Sequence, residues 1–164
     1  MSKGCQLDWK SSNSVVVSGE IDEHADFSSF IKLAGQILYV DLAEVIRLNS
    51  SGLRSWIQTI VKNQIQLVLR NCSPIVVEQF ALIPQFIGNQ GRVESFFARY
   101  QCVSCNHDEL KHFQFGQNIS DTSDQIPLDF GTPCPSCGDV LELDQSDEIY
   151  RAFLQYSLKS GRAS

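Results

Sequence analysis

Ile37-Leu38-Tyr39-Val40-Asp41-Leu42 is an apolar run of strand length bounded by turn signals, and Leu48-Asn49-Ser50-Ser51-Gly52-Leu53 follows within a few residues. The first stretch has the character of a strand buried on both faces. The second starts a helix, because Asn49, Ser50 and Ser51 are capping residues and Leu53, Trp56, Ile57, Ile60 and Val61 then fall on one stripe. Trp56 belongs to that stripe and reads as core. On the C-terminal side, Ile65-Gln66-Leu67-Val68-Leu69-Arg70 is another buried strand, and Ser73-Pro74 opens a helix with Val76, Val77, Phe80 and Leu82 on its apolar face. On the N-terminal side, Phe27, Phe30, Ile31 and Ala34 are spaced i, i+3, i+4, i+7. They predict an amphipathic helix capped by Asp26 and stopped by Gly35. Before it, Gln6 to Trp9 and Val15-Val16-Val17-Ser18-Gly19-Glu20 predict an opening hairpin, and Val93 to Gln101 predicts the last strand of the same sheet. Alternating strands and helices of this kind specify an α/β domain with a mixed sheet.

The 164 residues are 43% hydrophobic and 20% charged, a globular balance. A net charge of −6 and a pI near 4.9 disfavour a polyanionic partner. The N-terminus lacks the apolar core of a signal peptide, and no run reaches the roughly 20 apolar residues of a membrane span, so the expected location is cytoplasmic with no membrane partner. Glu20 and Asp22 are turn carboxylates with no positioned nucleophile near them in sequence, and no catalytic residue is assigned; the expectation is a non-enzyme.

The order of elements, with Gly19-Glu20-Ile21-Asp22, Tyr39-Val40-Asp41-Leu42 and Leu48-Asn49-Ser50-Ser51-Gly52-Leu53, resembles the STAS family of anti-sigma-factor antagonists over roughly the first 100 residues. The resemblance implies a STAS-like fold and a bacterial signalling role, in which a protein partner of the anti-sigma, serine-kinase type docks on the surface around Asn49, Ser51 and Gly52 and phosphorylates Ser50. The chain departs from the family at Asn49, where Asp is common. A hydroxyl at a helix N-terminus lies among unpaired N–H groups at the positive end of the dipole, which suits a phosphate and equally suits a simple cap. An unphosphorylated, constitutive scaffold is therefore the alternative expectation.

Cys102-Val103-Ser104-Cys105 and Cys134-Pro135-Ser136-Cys137-Gly138 are two Cys-x-x-Cys turns. In a reducing compartment this spacing predicts a zinc ribbon, with four thiolates closing the coordination sphere of a structural Zn2+. Rubredoxins resemble the paired layout and make iron the competing metal, although Asn106 stands where they usually have Gly. Two disulfides are the other alternative. His107 and His112 are read as surface or strand residues, and Cys5 and Cys72 as non-ligands, with Cys72 buried. Between Cys102 and Cys137 the only Lys or Arg is Lys111, against five Asp or Glu, so a ribbon that binds nucleic acid is disfavoured. Leu110 to Phe115 and Ile126 to Phe130 are short strand candidates flanking a polar loop from Gly116, and Asp144 onward predicts a helix with Ile149, Phe153 and Tyr156 on one side. The expected organisation is a STAS-like domain over 1–100, then a zinc ribbon with a C-terminal helix over 101–164.

Overall fold

The structure is a computed structural model describing residues 3–117 and 132–162, with side chains to residue 157. The expected strand at 126–130 and most of the polar loop before it lie outside the described residues, as do residues 163 and 164, the end of the segment 160–164 expected to fray, of which 160–162 are helical. Among the described residues the chain is mixed α/β, with a five-stranded sheet and a three-stranded sheet.

Strands β1 (Gln6–Ser11) and β2 (Ser14–Ile21) form the expected antiparallel hairpin. β3 (Ile37–Leu48), β4 (Gln66–Arg70) and β5 (Arg92–Val93) then add in parallel, in the order β1-β2-β3-β4-β5. β3 is twice the length that its apolar run suggested, because its second half continues to pair with β2 after leaving β4. Its two faces also differ. Leu38, Val40 and Leu42 enter the core, whereas Tyr39 and Asp41 are only half-buried, Tyr39 under the Arg70 guanidinium and Asp41 bonded to the Asn71 side chain at 2.7 Å. The strand read as buried on both faces is thus covered by helices on one.

Helix α1 (Ser50–Lys62) buries Leu53, Trp56 and Ile60, while Val61 at the edge of the expected stripe is 42% exposed. The Trp56 ring stacks on Phe86 at 4.9 Å, and its N–H donates to the Phe86 carbonyl at 2.8 Å, so the apolar body and the polar handle are both satisfied. Helix α2 (Pro74–Leu82) starts at Ser73-Pro74 as read and buries Val76, Val77 and Phe80, leaving Leu82 exposed at its C-terminal end. The helix expected at 27–34 is instead a six-residue 3-10 segment, Ser28–Leu33. Phe30 and Leu33 are its buried residues and Phe27 just before it is buried too, at spacings of three, while Ile31 is 53% exposed. Three residues per turn is the 3-10 period, so the apolar positions served a tighter helix than the spacing of four implied.

The predicted last strand, 93–101, is divided. Arg92 and Val93 pair with β4, Phe96 still bridges Cys72 just beyond β4, and Ser95–Cys102 becomes β6, the centre of the second sheet, flanked by β7 (Asp108–Gln114) and β8 (Leu141–Leu143). β6 runs through the boundary expected at residue 100. On it, Phe96, Ala98, Tyr100 and Cys102 alternate inward. Helix α3 (Asp147–Arg162) docks with Tyr150, Phe153, Leu154 and Ser157, a face rotated from the predicted one; of the predicted residues only Phe153 is fully buried. Phe153 meets Phe80 at 5.2 Å and Phe96 at 5.0 Å, and a continuous apolar cluster runs from Val15 to Leu154.

Candidate functional site

At the N-terminus of α1, Asn49 is extended and its Oδ1 accepts from the Gly52 N–H at 2.9 Å, a standard cap. Gly52 is buried so tightly that a Cβ there would lie 2.2 Å from the Ile21 carbonyl oxygen; only glycine lets the first turn seat on the end of β2. The Asn49 N–H also bonds the Ile21 carbonyl at 3.1 Å. Ser50 and Ser51 are both exposed in the first turn. The sequence reading missed Glu23. Its Oε2 accepts from the Asn49 Nδ2 at 2.7 Å, a bond an aspartate at 49 has no proton to make. Glu23's own backbone N–H, the Asn49 amide and the nearby His24 and Arg47 charges together hold its carboxyl below the usual range. A polar groove of about 300 Å³ lies alongside, lined by Glu20, Asp22, Glu23, Arg47 and Asn49 among others.

The four-cysteine centre is assembled by the second sheet. β6 delivers Cys102 on its core face, and pairing of Cys102 with Leu141 on β8 brings the second knuckle alongside. The two knuckles share one backbone design. Asn106 N–H bonds the Cys102 carbonyl at 2.9 Å, and Gly138 N–H bonds the Cys134 carbonyl at 2.9 Å; Cys102 N–H bonds the His107 carbonyl, and Cys134 N–H bonds that of Asp139. Asn106 and Gly138 both take positive φ, 59° and 81°, so Asn does at the first turn what Gly does at the second.

All six cysteines are free, and the Sγ atoms of Cys102, Cys105, Cys134 and Cys137 lie within 4.8 Å of one another. Cys102 and Cys137 approach to 3.5 Å, and Cys105 and Cys134 to 3.6 Å. Metal–sulfur bonds of about 2.3 Å in a tetrahedron imply sulfur separations of about 3.8 Å, so the cluster fits one thiolate-bound ion. Burial raises the Cys134 thiol, but the N–H groups of Cys137 and Ser136 and the neighbouring thiols outweigh it and bring it down to about 6. At Cys137 the Asp139 N–H lowers the thiol, yet Cys102, burial and the other two cysteines push it up to about 12. Cys102 and Cys134 are buried, Cys105 and Cys137 exposed, so one edge of the centre faces solvent. Cys5 and Cys72 stand apart. Burial and then Asp22 raise Cys5 to about 11, and burial raises Cys72 further.

Neither histidine joins the thiolates. His112 Nε2 lies 2.9 Å from the Asn71 side chain, and His107 lies between Glu109 at 3.3 Å and Ser136 at 3.2 Å. No family model, no curated protein and no solved structure matches this chain. Among the described residues no helix is long and apolar enough to cross a membrane.

Proposed function

We propose that the chain is a non-enzymatic regulatory module of the anti-sigma-factor antagonist type: a STAS-like domain that binds a protein partner through the surface around Ser50, joined to a zinc ribbon. The observation that carries this reading is the exposed Ser50 in the first turn of a 13-residue helix whose start is fixed by the capping Asn49, which also lines the adjacent groove, and by a glycine no other residue can replace. The order of strands and helices and the mixed sheet support the STAS-like part. A phosphate on Ser50 adds about −1.5 to −2 charges, which the helix N-terminus accommodates within the domain but a docked partner must desolvate or repel.

For the ribbon, Cys102, Cys105, Cys134 and Cys137 would hold the ion. When bound, zinc supplies a closed, redox-inert cross-link between the knuckles and no open position for substrate. Four thiolates in a tetrahedron suit zinc and iron alike; the closed structural role favours zinc, and elemental analysis distinguishes it from iron.

The Asn49–Glu23 bond supports a second reading, a constitutive scaffold, because a phosphate on Ser50 would arrive beside the Glu23 carboxylate. Calorimetric titration of the unmodified, phosphorylated and Ser50→Asp proteins against a partner recovered from host lysate separates the two. The switch predicts that Ser50→Asp weakens binding by roughly 1–3 kcal/mol while Ser50→Ala retains it. Equal affinities leave Ser50 as a cap, and recovery of nucleic acid at physiological salt overturns both readings.

A further inference from the structure

We propose that the four-cysteine centre is assembled before it is loaded, by a reciprocal pair of side-chain bonds that clamp one knuckle to the other and make the site a preorganised receptor for one thiophilic divalent cation. The inference rests on the metal-binding reading of the four thiolates and extends it to four residues that supply no ligand atom.

Ser104, third in the first knuckle, donates its hydroxyl to Asp139 Oδ2 of the second. Ser136, third in the second knuckle, lies 3.2 Å from His107 Nδ1 of the first. Each acceptor directly follows its knuckle's left-handed residue, Asn106 or Gly138. The bonds are therefore equivalent under the approximate two-fold relation already seen in the backbone. Both acceptors are themselves fixed. Asp139 Oδ1 accepts from the Val140 N–H at 2.8 Å, and His107 Nε2 faces Glu109 Oε2 at 3.3 Å. With its Nε2 proton directed to Glu109, His107 presents Nδ1 as an acceptor, so both serines donate.

The consequence concerns where the ordering cost falls. Gathering four thiolates from a loose chain consumes binding free energy, whereas a site held in shape lends more of that energy to affinity. Two crossed bonds, added to the β6–β8 pairing, tie the knuckles together through side chains that supply no ligand atom, which is what preorganisation requires. Ser104 and Ser136 are positioning residues. Both are exposed, so their removal should affect the site far more than global stability.

The test uses the full chain, stripped of metal under reducing conditions, titrated with Co2+ and then competed with Zn2+. Ser104→Ala/Ser136→Ala is expected to bind both ions about 10–100-fold more weakly and to change the tetrahedral thiolate Co2+ bands, with Ser104→Thr/Ser136→Thr restoring both. Amide exchange of the metal-free wild type gives an independent arm. The Cys102 and Cys134 N–H groups should remain protected there and in the Thr variant, and lose protection in the Ala variant. Unchanged affinity and spectrum in the Ala variant, or metal-free wild type exchanging both amides at unfolded rates, overturns the brace while leaving the metal reading intact. Wild type that takes up neither ion overturns both.

Discussion

Gly52 shows how a single position can set the geometry of a helix start. Because its missing Cβ would otherwise meet the Ile21 carbonyl and the start of Asp22, α1 begins in direct contact with the end of β2. Gly52→Ala should force the first turn outward at a cost of about 1–3 kcal/mol, the scale of overpacking a tight site, and should shift the Asn49 and Ser50 amide resonances while leaving the four-cysteine centre undisturbed. Urea denaturation with chemical-shift mapping checks both parts; an unperturbed midpoint would mean that the turn relaxes freely. At this scale Asn49 also finds its explanation. It caps through its oxygen, as a carboxylate could, and binds Glu23 through its nitrogen, which a carboxylate could not.

Among the elements, α3 is the one whose docking can be followed by titration. Tyr150 is fully buried, and burial pushes its hydroxyl up to about 12, with the Arg99 backbone acting in the opposite direction. A free tyrosine titrates near about 10. The folded state therefore favours the protonated form: Tyr150's contribution is fully present below pH about 10 and is lost as pH rises toward about 12. Stability should fall steeply over that window in wild type and more shallowly in Tyr150→Phe, as read by chemical denaturation across the alkaline range. Parallel curves would show that the ring does not stay buried. The 3-10 segment illustrates the same scale from the other side: its residues are apolar at intervals of three, and the neighbouring Phe30–Trp56 contact at 5.7 Å fixes which interval is used.

For the whole molecule, the central fact is that one apolar cluster contains core residues of both sheets and of α3, with Cys102 and Cys134 among them. Phe153 touches α2 through Phe80 and β6 through Phe96, so Phe153→Ala should destabilise the protein by about 3–5 kcal/mol, seen as a single shifted transition by both tryptophan fluorescence and far-ultraviolet circular dichroism. Two separated transitions would indicate that the sheets melt independently. Cys134→Ser should loosen β8 and the knuckles first, then α3, with the β1–β4 core retaining the slowest amide exchange.

The strands β1 to β4, helix α1 and its cap, the start of α2 and the two cysteine pairs were legible in the amino-acid sequence. Each is written in local signals: alternation, helical spacing, capping residues, Cys-x-x-Cys. Even part of the symmetry of the four-cysteine centre was there to read, since both knuckles carry Ser in the third position. What the sequence could not contain is long-range choice. Whether residues 92–102 end with the first sheet or run on as the centre of a second depends on β7 and β8 being available to pair with β6. The face that α3 buries depends on where Phe80 and Phe96 already stand. Glu23 beside Asn49, and Ser104 with Asp139 across the knuckles, join residues 26 and 35 positions apart. Such pairings leave no periodic trace, because they are selected by tertiary packing rather than by the preferences of adjacent residues.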